Sequence, residues 1–148
     1  MPGLTAYGSD TFLGALFGLN AAPTTYFLAL VTDVPDPSWD GTDLAAVEVP
    51  TEIDSTTTGY ARYQIGAGTA NWDPFSGYLA NKNVITYPLP VQDWGLVTGW
   101  ALCTDVTAGD IYAYGEFAFT QQVPAGYSLW IPAGSLQVAL AADNEVGA

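Results

Sequence analysis

A chain of 148 residues, 49% hydrophobic and 14% aromatic, has enough apolar material to build one core, which excludes intrinsic disorder despite a net charge of −13. Arg62 and Lys82 are its only cations, too few to displace counterions from a phosphate backbone, so nucleic acid and anionic membranes are excluded as partners. With no histidine, Ser-His-Asp and Cys-His catalysis and His-ligated metals are removed as well, and the single Cys103 reads as a small buried strand residue.

At the N-terminus, residues 1–20 have no basic start, and the apolar patch from Phe12 to Leu19 is broken by Gly14 and Gly18. Neither a signal peptide nor a membrane span, which needs about 20 apolar residues, is expected. Ser9 or Asp10 predicts the cap of a short helix with Phe12, Leu13, Leu16 and Phe17 on one face. Gly14 and Gly18 each weaken that helix by up to about 1 kcal/mol, so it needs packing against the body or a neighbouring subunit. Residues 1–22 are therefore expected to form an arm and a short helix, with 1–10 free to reach, and residues 23–148 a single β-sandwich domain.

Beyond Pro23 short runs of Val, Ile, Thr, Tyr, Phe and Trp are punctuated by Gly, Pro, Asp and Asn, the signature of antiparallel strands. Residues 24–32 are apolar on both faces, as a covered central strand would be. Residues 60–65 alternate, with Ala61, Tyr63 and Ile65 on one face and Tyr60, Arg62 and Gln64 on the other. Residues 83–87, 96–103, 111–119, 127–131 and 135–141 complete about seven strands. The fold class is all-β, an antiparallel β-sandwich or flattened barrel with one short N-terminal helix. Val123-Pro124-Ala125-Gly126 and Ile131-Pro132-Ala133-Gly134 predict type I turns with Pro second and Gly fourth, and Thr107-Ala108-Gly109-Asp110 predicts a similar reversal. Residues 33–59 and 66–82 read as long irregular loops, the places where binding is expected.

Fifteen acids and five tryptophans keep a glycosidase-like carboxylate pair formally open, although no short spacing singles out an acid and its base. The acidic stretch Asp33, Asp36, Asp40, Asp43 has the hard oxygens calcium prefers but not the spacing of an EF-hand, and reads first as a solvated loop held by Pro35, Pro37 and Trp39. No other cofactor is implied. Arg62 is the more informative residue, a lone arginine in the middle of a strand of an acidic chain. Its planar fork is suited to a carboxylate or to several backbone carbonyls, with Glu48, Glu52 and Asp93 as candidates for the carboxylate.

A short helix ahead of Tyr26-Phe27-Leu28-Ala29-Leu30-Val31-Thr32, then Gly59-Tyr60-Ala61-Arg62, Asp93-Trp94-Gly95-Leu96-Val97-Thr98, Tyr114-Gly115-Glu116 and the two Pro-Ala-Gly turns together resemble a family of small tailed-phage structural proteins. Its members are often labelled tail fibre proteins, and some resemble capsid cement or decoration proteins. The resemblance spans roughly residues 12–140 and implies a non-enzymatic virion component in which Tyr60, Arg62 and Trp94 shape the fold or an interface. Family members often reach the arginine strand through a Glu-Val segment and a glycine-rich turn. Here Glu48-Val49-Pro50-Thr51-Glu52-Ile53 is followed by an insertion-like stretch, 54–58.

The first functional expectation is a decoration protein on the outer capsid, a homo-oligomer and most simply a trimer bound to the major capsid protein. Its second form is a tail-tip or tail-fibre module reading a host glycan through Trp39, Trp72 and Tyr78. A glycosidase-like enzyme is the remote third.

Overall fold

The uninterrupted run Tyr26-Phe27-Leu28-Ala29-Leu30-Val31 becomes the second strand of a computed structural model that describes residues 3–33, 40–42, 51–75 and 77–139. In chain order the elements are β1 (Gly3–Leu4), α1 (Ala6–Leu16), β2 (Thr25–Val31), β3 (Tyr63–Gly66), β4 (Trp72–Phe75), β5 (Tyr78–Asn81), β6 (Ile85–Thr86), β7 (Gly95–Cys103), β8 (Ile111–Val123), β9 (Trp130–Ile131) and β10 (Gln137–Ala139). The largest sheet has the order β1-β8-β7-β2-β3, and the smaller ones are β10-β5-β4 and β6-β9. All pairings between these strands are antiparallel, and no sheet closes on itself among the described residues, so of the two expected forms the sandwich is the one adopted.

Strand β2 is apolar on both faces because both are covered. Leu28 and Leu30 enter the main core with Ile65, Trp72, Ile85, Val97, Trp100, Leu102 and Ile131, where side chains of the three sheets meet. Ala29 and Val31 enter a second cluster with Ala101, Cys103 and Ile111 on the other face. Gly99 marks a close approach of the β7 and β8 backbones, since a Cβ there would lie 2.5 Å from the Gly115 carbonyl oxygen, beside a register shift in the β7–β8 ladder.

The N-terminal segment departs from expectation. Gly3 and Leu4 pair with Tyr114 and Ala113, so the described part of 1–10 is an edge strand and the start of a helix rather than a free arm. Thr5, not Ser9 or Asp10, caps α1. It accepts from the Gly8 N–H at 3.0 Å and donates to the Ile111 carbonyl, tying the helix start to β8 in the same contact. Gly8 is buried against β8, where a Cβ would collide with the Tyr112 carbonyl. Gly18 does not weaken the helix but ends it. At φ +78 it sets a C-terminal motif in which Gly18 N–H meets the Ala15 carbonyl at 3.2 Å and Leu19 N–H the Gly14 carbonyl at 2.7 Å.

Two local expectations are also corrected. Residues 66–82 are not one irregular loop, because β4 and β5 form a hairpin in which Pro74 sits opposite Leu79. The proline is tolerated because β4 is an edge strand, where its missing N–H breaks no inner ladder. The Pro-Ala-Gly turns run one residue later than a type I reading places them. Tyr127 N–H bonds the Pro124 carbonyl and Ser135 N–H the Pro132 carbonyl, which puts Gly126 (φ +85) and Gly134 (φ +83) third, where a type II turn needs positive φ.

Candidate functional site

Strand β3 begins only at Tyr63, opposite Leu28, and the same edge of β2 is joined again by a bridge from Glu52 to Val31. The interval leaves the Leu30 N–H without a strand partner, and the Tyr60 hydroxyl fills it at 2.9 Å. The same hydroxyl donates to Glu52 Oε2 at 2.7 Å. The buried face therefore changes over at Tyr63: before it Tyr60 and Arg62 turn inward and Ala61 is exposed, and after it Ile65 is buried and Gln64 exposed.

Arg62 uses four of its five N–H donors. Nε and Nη2 grip Glu52 Oε2 and Oε1 at 2.7 and 2.8 Å, while Nη1 donates to the carbonyls of Asp105 and Ala108 at 2.6 and 2.9 Å. Of the three candidate carboxylates, Glu52 is the partner. Asp93 instead accepts from the Ala125 N–H at 2.8 Å, and Glu48 lies outside the described residues. Burial works against the guanidinium charge, but the hydrogen bond and charge of Glu52 outweigh it and hold the Arg62 pKa above its ordinary value. For Tyr60, burial and then the Glu52 charge push the phenol up, so it stays protonated as a donor. Ala108 sits at φ +51, unusual for a residue with a Cβ and unlike the expected type I turn; one of its restraints is the Arg62 hydrogen bond.

An aromatic cluster backs this clamp. The Tyr60 ring stacks on Tyr87 at 6.2 Å and meets Trp94 edge-on at 5.4 Å, and Trp94 Nε1–H donates to the Thr58 carbonyl at 3.1 Å. Trp94 is thus a core residue. On α1 the four apolar residues do not share one environment. Phe12 stacks on Tyr112 at 5.4 Å, whereas Leu13, Leu16 and Phe17 are 54, 76 and 75% exposed and are continued by Leu19.

Of the aromatics expected to read a glycan, Trp72 is buried with its Nε1–H on the Gly66 carbonyl, Tyr78 is half-buried in β5, and Trp39 lies outside the described residues. Trp130, which the sequence offered only as one of five tryptophans able to stack on sugar rings, is 56% exposed. What set it apart from the other four in the sequence was only its place beside the Pro132–Gly134 turn. In the acidic stretch, Asp33 accepts from Thr51, and Asp40 accepts from the Thr42 N–H and hydroxyl at 2.9 and 2.8 Å; Asp36 and Asp43 lie outside the described residues. Among the described residues no three His, Cys, Asp or Glu side chains converge as metal ligands, and no helix is long and apolar enough to cross a membrane.

The architecture is that of a small all-β protein with one short helix, built from antiparallel sheets over a shared core, and its family is a particular one. Residues 3–139 match the family model described as podophage GP4 fiber I protein gp80, and the chain belongs to that family. It is therefore a virion component of the phage-fibre kind. No curated protein matches the chain.

Proposed function

We propose that the chain is a non-enzymatic structural subunit of the virion fibre, working as a homo-oligomer, most simply a trimer, that associates through α1. The observation that carries this reading is the apolar ridge Leu13, Leu16, Phe17 and Leu19, exposed along α1 and the turn that ends it, while the other side of the helix is locked to β8 by Gly8 and Phe12. Fully burying one Leu or Phe side chain is worth about 1.5–3 kcal/mol, so a partner covering the ridge gains several such increments without reshaping the body. Closed symmetry lets equivalent ridges bury one another. The description of the family supports the fibre seat. The lack of any histidine supports a role without catalysis, as does the engagement of Glu52 with Arg62.

A second seat, the outer capsid surface, is favoured by one observation. A net charge of −13 keeps densely crowded copies soluble, as a decoration protein tying major capsid protein subunits together requires. Copy number separates the seats. Quantitative mass spectrometry of purified particles is expected to give roughly a dozen or a few dozen copies, a multiple of a fibre's symmetry, while several hundred would move the protein to the capsid lattice. Absence from purified particles would remove both.

A further inference from the structure

Along the half of β8 that α1 does not cover, residues Phe117–Gln121 and the segment from Ser128 to Gln137 line an open cleft of about 640 Å3, within the range of small-ligand sites. Trp130 stands exposed in its wall, flanked by Gln121, Ser128, Ser135 and Gln137. None of its lining residues is charged, although the chain carries fifteen acids. The side chains of Gln121, Ser128 and Ser135 make no hydrogen bond to any other described residue.

We propose that this cleft binds a neutral saccharide, stacked on Trp130 and hydrogen-bonded by the surrounding amides and hydroxyls. An exposed indole presents its negative π face to the weakly positive C–H face of a pyranose, while Gln and Ser offer both donors and acceptors to ring hydroxyls. An anionic ligand would find no cation here and would meet the repulsion of the whole chain. A cationic ligand would find no carboxylate in the wall. The far wall is built to keep its shape. Fully buried Asn81 donates from Nδ2 to the Asn83 and Pro132 carbonyls at 2.8 and 3.0 Å and accepts the Leu136 N–H at 2.8 Å, while its carbonyl takes the Gly134 N–H at 2.7 Å. The 132–136 wall is therefore held before any ligand arrives, so little ordering is required on binding. The recess beneath Phe12 and Tyr26, about 330 Å3, is lined almost wholly by apolar groups and lacks this chemistry.

The inference is independent of assembly through α1, which packs on the opposite half of β8. Titrating the intact protein with maltohexaose, cellohexaose and a neutral bacterial O-antigen oligosaccharide, followed through the Trp130 indole N–H resonance, tests it. At least one probe is expected to shift that resonance saturably at millimolar concentration. Trp130→Ala should weaken binding at least about tenfold, Trp130→Tyr should retain much of it, and the oligomeric state should not change. Silence of the Trp130 resonance with all three probes would overturn the proposal, as would undiminished binding by Trp130→Ala. Loss of oligomerisation in Trp130→Ala would also overturn it and make the cleft a subunit interface, leaving the ridge on α1 to be judged by its own variants.

Discussion

Arg62 holds Glu52 through two parallel hydrogen bonds, at 2.7 and 2.8 Å, while its remaining nitrogen reaches across to the β7–β8 loop carbonyls of Asp105 and Ala108. Two stretches of chain far apart in sequence, at Glu52 and at the 105–108 loop, therefore close on one guanidinium.

Arg62→Lys keeps the charge and loses the fork. A lysine ammonium cannot serve both carboxylate oxygens and two carbonyls at once, so a loss of about 2 kcal/mol is expected in chemical denaturation. Arg62→Met, which also strands the partly buried carboxylate, should cost more, about 3 kcal/mol. Wild-type stability in Arg62→Lys would show that the clamp contributes nothing.

Burial pushes the Cys103 thiol up to about 12 from its ordinary 9.0, against a smaller opposing pull from the Arg62 charge. Because the folded pKa is the higher one, this stabilisation is complete below pH 9 and is lost as pH rises from about 9 towards 12. Tyr112, raised to about 12 first by burial, acts in the same direction from its ordinary 10.0. Melting temperature is expected to be flat near neutrality and to fall through this alkaline window. A thiol reagent should leave the native protein unlabelled at pH 8 and react once it is unfolded; stoichiometric labelling of the folded chain would contradict the burial argument.

Gly8→Ala distinguishes local from tertiary control of α1. By helix propensity alone the change stabilises by up to about 1 kcal/mol. In the fold, the new methyl runs into the Tyr112 carbonyl, and a net loss of about 1–3 kcal/mol is expected. A variant more stable than wild type would mean that α1 does not dock as closely as described.

The ridge is tested by Leu16→Asp combined with Phe17→Ser. Both side chains are about three-quarters exposed, so stability should stay within about 0.5 kcal/mol while light scattering reports smaller particles. Unchanged mass at working concentration would remove α1 as the association surface.

Removing residues 1–10 should destabilise the body as well as any contact the segment makes, because β1 and the Thr5 cap go with it. Loss of the β8 edge partner should appear as faster hydrogen exchange along residues 111–114. Wild-type exchange there would restore the free-arm reading.

The sequence by itself determined the elements whose apolar pattern is long enough to outweigh local noise. The runs of β2 and β8 are rich in β-branched and aromatic residues, and with the apolar β7 between them they form the centre of the main sheet. A solitary arginine in so acidic a chain likewise announced a fixed partner, because burying its charge demands one. Tertiary structure decided what depends on neighbours. Glu52 could be chosen over Glu48 and Asp93 only once the bridge to Val31 had set it beside Arg62. Pro74 argues against a strand until β4 is known to lie at an edge, and two residues as short as Gly3–Leu4 carry no periodicity at all. The same holds for exposure. Trp72 and Trp130 are the same residue type in similar short strands, yet one closes the core and the other stands in a cleft, because burial is a property of the surfaces that meet around a side chain and not of the side chain itself.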